Sequence, residues 1–362
     1  MNELIINVND LEHNINLIKS KEKDDYTIIA VVKGNAYGCD LKQYVKVLID
    51  NGIDYFAVAS YQEAIEFRKE FYSEKLLLLT PYCDEEILSD LIEKNVVLTI
   101  DNVNQAELIN EIANKKYKKA VAHIKIDTGL NRYGFKYSDI ASIVKIVKQN
   151  ENIEFEGIYS HFANSLAQDS SFSELQYERF MYVIDKLKEI EIDFELKHIC
   201  NSSGYFKYKD MHLNAARIGS AFTGQAVGIP TDLKRLGTFH TIITKVMKVK
   251  QGEFIGYAKS YKVKQDMKIA ILPTGYSDGI GKTLEDQRFT FKSKIKRLML
   301  DFKKLFKQDY LTLGDYNVIG QIGMHDVVID VTGKKVKTND DMFFDVRPIY
   351  IDSSIKRIYT KD

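Results

Sequence analysis

The first residue whose side chain could take part in a reaction is a lysine at the end of an apolar run. The run Thr27–Lys33 reads TIIAVVK, and the residues GNAYG follow it. An unprotonated lysine amine is a nucleophile that can hold a carbonyl compound covalently. A solvated lysine is the commoner explanation for any lysine taken alone. The chemistry of Lys33 therefore depends on which residues are positioned around it.

Two histidines and one tyrosine are candidates for proton transfer. His161 and His198 lie at the ends of apolar runs, and Tyr257 lies in the stretch IGYAKSY. Side chains of both types can take up and return a proton during catalysis. Isolated histidines at strand ends are more often structural, and a tyrosine in a β-rich region more often packs. Residue type alone does not separate these alternatives.

The elements that must position these residues follow a repeating pattern. Short β-branched apolar runs alternate with segments of helical periodicity, which predicts parallel strands joined by helices. Eight candidate strands end at Lys33, Ser60, Thr80, Ile100, Asp127, His161, Cys200 and Gly219. The economical fold is an eight-fold βα barrel, with a doubly wound sheet as the alternative. A barrel collects its functional groups at the carboxyl ends of the strands, where the candidate residues lie.

After about residue 236 the sequence pattern changes to strand-like stretches separated by turn signals. We therefore expect an α/β barrel over 9–230 and a smaller β-rich C-terminal domain formed by 1–8 and 231–362. The segment 285–310 is dense in basic and apolar residues. An amphipathic helix with one solvated face explains it better than a membrane or partner site.

Composition excludes several classes of function. Lysine plus arginine and aspartate plus glutamate each total 51 among 362 residues, so no global charge favours nucleic acid or acidic membranes. No run approaches the length of a membrane span, and no signal sequence is evident, so we expect a cytoplasmic protein. The three cysteines lack paired spacing, which indicates neither disulfides nor a metal site.

Seven motifs occur in the order found in alanine racemases, and together they resemble that family. They are AVVKGNAYG, HIKIDTGLNRYGF, YSHFA, HICNSSG, ARIG, IGYAKSY and PTGYSDG. The resemblance covers the predicted barrel and most of the β domain. It implies a fold-type III amino-acid racemase that interconverts L- and D-alanine.

The resemblance also implies a cofactor and two catalytic bases. Pyridoxal 5'-phosphate would be attached to Lys33, which also acts as one base. Tyr257 would be the opposing base and would reach the neighbouring subunit's site in a homodimer. Two bases are needed because the proton leaves one face of the substrate and returns on the other. Further implied cofactor-binding residues are Tyr37, His161, Asn201, Ser202, Arg217, Gly219 and Ser220.

Supporting and substrate-binding roles are implied in the same way. Arg217 would face the pyridine nitrogen and, since arginine keeps its protons, would leave that nitrogen unprotonated. His198 would support Arg217, with Tyr276 a further supporting residue. Arg132 and the backbone of Met324 would bind the substrate carboxylate. Lys125 occupies the place of a lysine that the family often carries in carbamylated form.

The sequence departs from the family near the expected substrate carboxylate. Where the family has arginine-valine-cysteine-methionine-aspartate, residues 321–325 read QIGMH. We hypothesise that Gly323 enlarges the substrate pocket and that His325 changes the charge at its mouth. Phe344 aligns with a tyrosine that commonly contacts the phosphate, and it has no hydroxyl.

These departures leave alternatives to alanine racemisation. The substrate could be serine or another amino acid, and the protein could bind the cofactor without turnover. The presence of both Lys33 and Tyr257 favours a racemase over a carrier. A decarboxylase of similar architecture would place an acidic group, rather than Arg217, on the cofactor nitrogen.

Overall fold

The computed structural model describes residues 2–21, 25–225, 232–283, 295, 298–299 and 311–361. The basic segment 285–310 thus lies almost entirely outside the described residues. The chain divides into two compact units, Val8–Arg235 and Met1–Asn7 with Leu236–Asp362. Among the described helices, none combines the length and apolarity needed to cross a membrane.

The unit Val8–Arg235 contains the predicted eight parallel strands. They are Thr27–Val31, Tyr55–Val58, Lys75–Leu78, Leu98–Ile100, Ala120–Asp127, Ile153–Tyr159, Leu196–His198 and Ala215–Ile218. The eighth strand pairs with the first, and pairing continues around the sheet in both directions. A bridge between Leu77 and Val97 joins the third and fourth strands and closes the barrel. The predicted α/β barrel is confirmed.

Helices cover the outside of the barrel strands. Five of them begin with a side-chain cap, Asp40, Ser60, Asp84, Asn102 or Asp139, which accepts a backbone N–H of the first turn. The helices are Val8–Lys19, Leu41–Asp50, Tyr61–Glu70, Glu85–Glu93, Val103–Lys115, Ile140–Gln149, Ser171–Lys188 and Ser202–Lys207. A short additional strand, Phe135–Lys136, pairs in parallel with the end of the fifth barrel strand.

The chain leaves the first barrel strand through a left-handed turn. Gly34, Asn35, Ala36 and Tyr37 all have φ between 52° and 63°. This conformation costs a residue with a side chain roughly 1–2 kcal/mol. Three consecutive such residues after Lys33 therefore need support from the surrounding structure.

The unit formed by Met1–Asn7 and Leu236–Asp362 is β-rich, as predicted for the C-terminal domain. Its main sheet has the order Asp341–Asp345, Thr238–Ile242, Glu3–Asn7, Lys356–Thr360. A second sheet contains Lys245–Val249, Met267–Leu272 and Val327–Asp330. Two small hairpins pair Phe254–Ile255 with Tyr261–Lys262 and Thr312–Leu313 with Tyr316–Asn317.

Candidate active site

A cavity of about 240 Å³ opens at the carboxyl ends of the barrel strands. Ten of the residues proposed from the sequence line it: Lys33, Tyr37, Lys125, Arg132, His161, Asn201, Ser202, Arg217, Gly219 and Ser220. Val31, Leu79, Tyr133, Tyr159 and Ser203 complete the lining. The barrel thus brings together residues that are up to 189 positions apart in the chain.

Lys33 faces a site that is poor in negative charge. Its pKa is lowered by burial and by the positive charge of Arg132, with a smaller contribution from Arg217. The Glu63 carboxylate opposes this shift. A lowered pKa increases the neutral fraction of the amine, which is the form that can act as a nucleophile or a base.

Glu63 was not identified from the sequence, and it holds the turn that carries Lys33. Its carboxylate accepts N–H groups from Gly34 at 2.6 Å, Ala59 at 2.8 Å and Ser60 at 3.1 Å. The first of these bonds ties the left-handed turn to the start of helix Tyr61–Glu70. Ser60 and Glu63 also form a capping box at the start of this helix.

Arg217 is buried on the pocket floor and acts only as a donor. One terminal nitrogen donates to His198 Nδ1, and the other donates to the carbonyl oxygen of Ser160 at 2.7 Å and to His161 Nδ1 at 3.0 Å. Within the described part of the chain, no carboxylate pairs with Arg217. Burial lowers its pKa to about 10, which still leaves the guanidinium charged at neutral pH.

The two histidines that contact Arg217 are held neutral. Burial and the Arg217 charge place the pKa of both His161 and His198 well below the usual histidine range. Since Arg217 donates to Nδ1 of each ring, each neutral ring carries its proton on Nε2. His198 does not line the cavity but lies behind Arg217, as a supporting residue would.

The ring of Tyr159 lies close to two basic side chains. Lys125 Nζ is 4.2 Å and Arg217 Cζ 4.8 Å from the ring centroid, and His198 stacks on the ring with an interplanar angle of 6°. The ring face stabilises the buried Arg217 guanidinium, which has lost its water. Tyr159 belongs to the motif YSHFA, but the motif alone does not indicate this role.

Lys125 is buried and forms no ion pair among the residues the structure describes, although the Asp127 carboxylate acts to raise its pKa. Burial and the charges of Arg217 and Arg132 hold its pKa well below the ordinary value. The neutral amine is the form that reacts with carbon dioxide, so the environment fits the carbamylated lysine that the resemblance implies.

Small residues and hydroxyls line one side of the cavity. Ser202 Oγ accepts the N–H groups of Gly219 at 3.0 Å and Ala221 at 3.3 Å. A Cβ on Gly219 would lie 2.8 Å from the Tyr37 ring, so only glycine allows Tyr37 to lie against this backbone. Asn201 caps the following turn by accepting the N–H of Gly204 at 2.9 Å. These groups fit a phosphate, although the Gly219 amide is already bonded to Ser202.

Tyr257, Tyr276 and Met324 lie in the β-rich unit, where all three side chains are exposed. Their loops are linked to each other: Tyr276 N donates to the carbonyl oxygen of Gly323 at 3.1 Å, and Gln321 N donates to Ser260 Oγ at 3.1 Å. Tyr257 is the most exposed of the three, at 71%.

The loop that departs from the family is tightly held. Ser277 Oγ donates to the Met324 carbonyl oxygen at 2.6 Å and accepts a hydrogen bond from His325 Nδ1 at 2.9 Å. A Cβ on Gly323 would lie 2.7 Å from Asp326 Oδ1. The space that a side chain at Gly323 would enter is therefore already occupied by Asp326, which argues against the hypothesis that this glycine enlarges a pocket. Phe344 is buried and stacks on Phe239, so it packs in the β-rich core.

Comparisons with known proteins identify relatives over nearly the whole chain. The family model "Alanine racemase, N-terminal domain" matches residues 6–227, and "Alanine racemase, C-terminal domain" matches 236–348. Alanine racemase 2 of Caldanaerobacter subterraneus is 32% identical over 333 residues, which cover 90% of this chain and 80% of the relative. Alanine racemase of Desulforamulus reducens is 32% identical, covering 92% and 91%. The solved alanine racemase of Clostridium difficile 630 has a TM-score of 0.86 and 25% identity, covering 100% of this chain and 96% of that one.

Proposed function

Because the chain belongs to the alanine racemase family, we propose that it interconverts L- and D-alanine with pyridoxal 5'-phosphate in the barrel cavity. The observation that carries this proposal is that Lys33 and Arg217 line the same cavity, which contains little negative charge. Lys33 offers an amine with a lowered pKa, and Arg217 offers a guanidinium fixed by neutral histidines.

The cavity fits the cofactor on three counts. Lys33 can attach it, and Arg217 presents a fixed positive group where a ring nitrogen needs a donor. Tyr37, Ser202, Ser220 and the backbone at Gly219 form the hydroxyl-rich side that suits a phosphate. When bound, pyridoxal phosphate supplies an electron sink that makes the substrate Cα proton removable.

The residues of this chain then bind the substrate and transfer its proton. Lys33, partly neutral because of its lowered pKa, takes or returns the proton on one face of the substrate. Tyr257 does the same on the other face, and Arg132 with the backbone of Met324 binds the substrate carboxylate. Arg217 keeps its own protons, which favours simple return of the proton over reactions that need a protonated ring.

We further propose that the protein works as a homodimer in which 1–8 and 231–362 complete the partner's active site. The exposure of Tyr257, Tyr276 and Met324 on linked loops supports this, since side chains exposed together on one chain are available to another. Mixing Lys33→Ala with Tyr257→Phe subunits should restore part of the activity. No recovery despite demonstrated subunit exchange would contradict shared sites.

The substrate is tested by deuterium exchange at Cα. Incubating the enzyme and added cofactor with each common amino acid in heavy water should give the fastest exchange for alanine. Serine and larger amino acids should exchange more slowly, because Asp326 already fills the space that a side chain at Gly323 would occupy. Faster exchange of another amino acid would identify that amino acid as the substrate. No exchange with any amino acid would overturn the enzyme assignment.

Cofactor attachment has a separate test. Borohydride treatment of the protein with added pyridoxal phosphate should fix the cofactor on the peptide that contains Lys33. Lys33→Ala should lose this labelled peptide, with Lys42→Ala, an exposed lysine, as the control. Labelling elsewhere in the wild type would contradict the role of Lys33.

A further inference from the structure

A chain of buried side chains runs from Arg217 through the barrel interior. Arg217 donates to His198 Nδ1, and His198 Nε2 lies 2.9 Å from His123 Nδ1. His123 Nε2 lies 2.8 Å from Glu156 Oε2. Both histidines are fully buried, and Glu156 is 6% exposed.

The far end of the chain lies at the opposite end of the barrel from the cavity. Glu156 also accepts a hydrogen bond from Tyr55 at 2.6 Å and pairs with Lys75 at 2.5 Å. Tyr55 and Lys75 are the first residues of the second and third strands, whereas the cavity opens where the strands end. Lys75 reaches solvent, with 55% of its side chain exposed.

The donor-only chemistry of arginine sets the direction of every bond in this chain. Since Arg217 can only donate, His198 Nδ1 must accept, and its proton must sit on Nε2. That proton is donated to His123 Nδ1, so the His123 proton also sits on Nε2. The chain then needs an acceptor at its end, and the Glu156 carboxylate supplies one.

The strand geometry is adapted to this chain. In the pairing of the fifth and sixth strands, Ala122 lies opposite Phe155 and His123 lies opposite Gly157. Glu156 is thus the extra residue of a β-bulge, a feature that redirects side chains. A Cβ on Gly157 would lie 2.7 Å from the His123 ring, so the glycine makes room for that ring.

We propose that Glu156 is a positioning residue which, through His123 and His198, fixes the hydrogen bonding and orientation of Arg217. The chain does not relay protons to the cavity, because its inner end is a guanidinium that keeps its own. Glu156 instead supplies the final hydrogen-bond acceptor of the chain. Its negative charge lies at the opposite end of the chain from the buried Arg217 cation. Removing its acceptor leaves the buried Nε2–H of His123 without its carboxylate partner, so the rings of His123 and His198 can shift and Arg217 then loses a fixed partner.

The histidine tautomers provide a direct test. The chain has seven histidines, so selective ¹⁵N labelling of the full-length enzyme gives few ring signals. In the wild type, His198 and His123 should each be protonated on Nε2 and unprotonated on Nδ1. Glu156→Gln, which keeps an acceptor oxygen, should preserve both signals. Glu156→Leu should broaden or shift them.

Kinetics of the same variants separate positioning from binding. Glu156→Leu should lower kcat on the order of tenfold, as loss of an outer hydrogen-bond partner commonly does, with little change in KM for alanine. Glu156→Gln should recover most of kcat. Glu154→Gln, an exposed residue of the same strand, should match the wild type in both measurements.

Two outcomes would overturn the inference. One is a proton on His198 Nδ1 in the wild type, which needs no variant and decides the matter even if Glu156→Leu does not fold. The other is a Glu156→Leu enzyme with unchanged ring signals and kcat. The kinetic part rests on the proposed function: an inactive wild type with the expected tautomers would contradict that function and leave the hydrogen-bond chain intact.

Discussion

The reactivity of Lys33 is set by the positive side chains that share its cavity. Arg132 and Arg217 both lower its pKa, and Glu63 alone raises it among the groups that act on it most strongly. A lysine with ordinary surroundings would be almost wholly protonated at neutral pH. The two arginines that line the cavity thus increase the neutral fraction of the lysine that we propose as the nucleophile.

Replacing Arg132 by glutamine should raise the pKa of Lys33, because one of the positive charges that lowers it is removed. The neutral fraction of the amine then falls at any given pH. The pH midpoint for cofactor attachment, followed by the absorbance change on adding pyridoxal phosphate, should move upward. The exposed Lys42→Met variant should leave that midpoint in place, and an unmoved midpoint in Arg132→Gln would contradict the electrostatic explanation.

Lys125 should react reversibly with carbon dioxide. Its neutral amine can form an N–C bond to carbon dioxide with release of one proton, and the resulting anion would be stabilised by the charges of Arg132 and Arg217. Adding ¹³C-labelled bicarbonate should give a carbamate signal by NMR that Lys125→Ala lacks. A signal that persists in Lys125→Ala, or its absence in the wild type, would exclude this modification.

At the scale of elements, the left-handed turn after the first strand depends on Glu63. One carboxylate accepts three N–H groups, whereas a glutamine amide has a single acceptor oxygen and would turn an N–H₂ group toward a donor. Glu63→Gln should lower the free energy of unfolding by roughly 2 kcal/mol and weaken cofactor binding. Urea unfolding and cofactor titration measure the two effects. Glu66→Gln on the same helix, which loses only an exposed ion pair with Lys69, should change neither.

The loop at Gly323 offers a double-substitution test. Gly323→Ala places a Cβ against the Asp326 carboxylate, so the loop must shift and the KM for alanine should rise. Adding Asp326→Ala removes the obstructing oxygen and should recover much of the loss, which a double-mutant cycle would report as coupling. Additive effects of the two changes would show that the contact does not constrain the loop.

The sequence predicted the barrel strands because each is a short, buried, β-branched run. It did not predict the turn after Lys33, since GNAYG is compatible with many turns and the stabilising bond comes from Glu63, 29 positions away. The sequence also did not show that Thr238–Ile242 and Lys245–Val249 are separate strands in different sheets. No glycine or proline lies between them to mark the boundary. Motif order located the cavity residues, but the Glu156 chain required the bulge geometry.

For the molecule as a whole, Glu156 links stability to pH. Burial opposes its ionisation, but hydrogen bonds from His123, Lys75 and Tyr55 outweigh burial and lower its pKa from 4.5 to about 2. Because the folded-state pKa is lower, the stabilisation is present above about pH 4.5 and is lost as the pH falls toward 2.

Glu156→Gln should therefore be less stable than the wild type at pH 7, by roughly 3 kcal/mol if the whole shift is lost. The difference should shrink as the pH is lowered from 5 to 3. Urea unfolding at a series of pH values measures it, with Glu154→Gln as the exposed control on the same strand. A difference that stays constant with pH would mean that the charge of Glu156 does not stabilise the fold.

The strand Glu3–Asn7 pairs on one side with Thr238–Ile242 and on the other with Lys356–Thr360. During synthesis its last partner is made about 350 residues after the strand itself. At usual elongation rates this delay is roughly 20 to 70 s. The barrel sequence is completed within that interval, so folding of the barrel can precede closure of the β-rich sheet. Ribosome-bound chains halted before residue 356 should carry a folded barrel and an unfinished sheet edge.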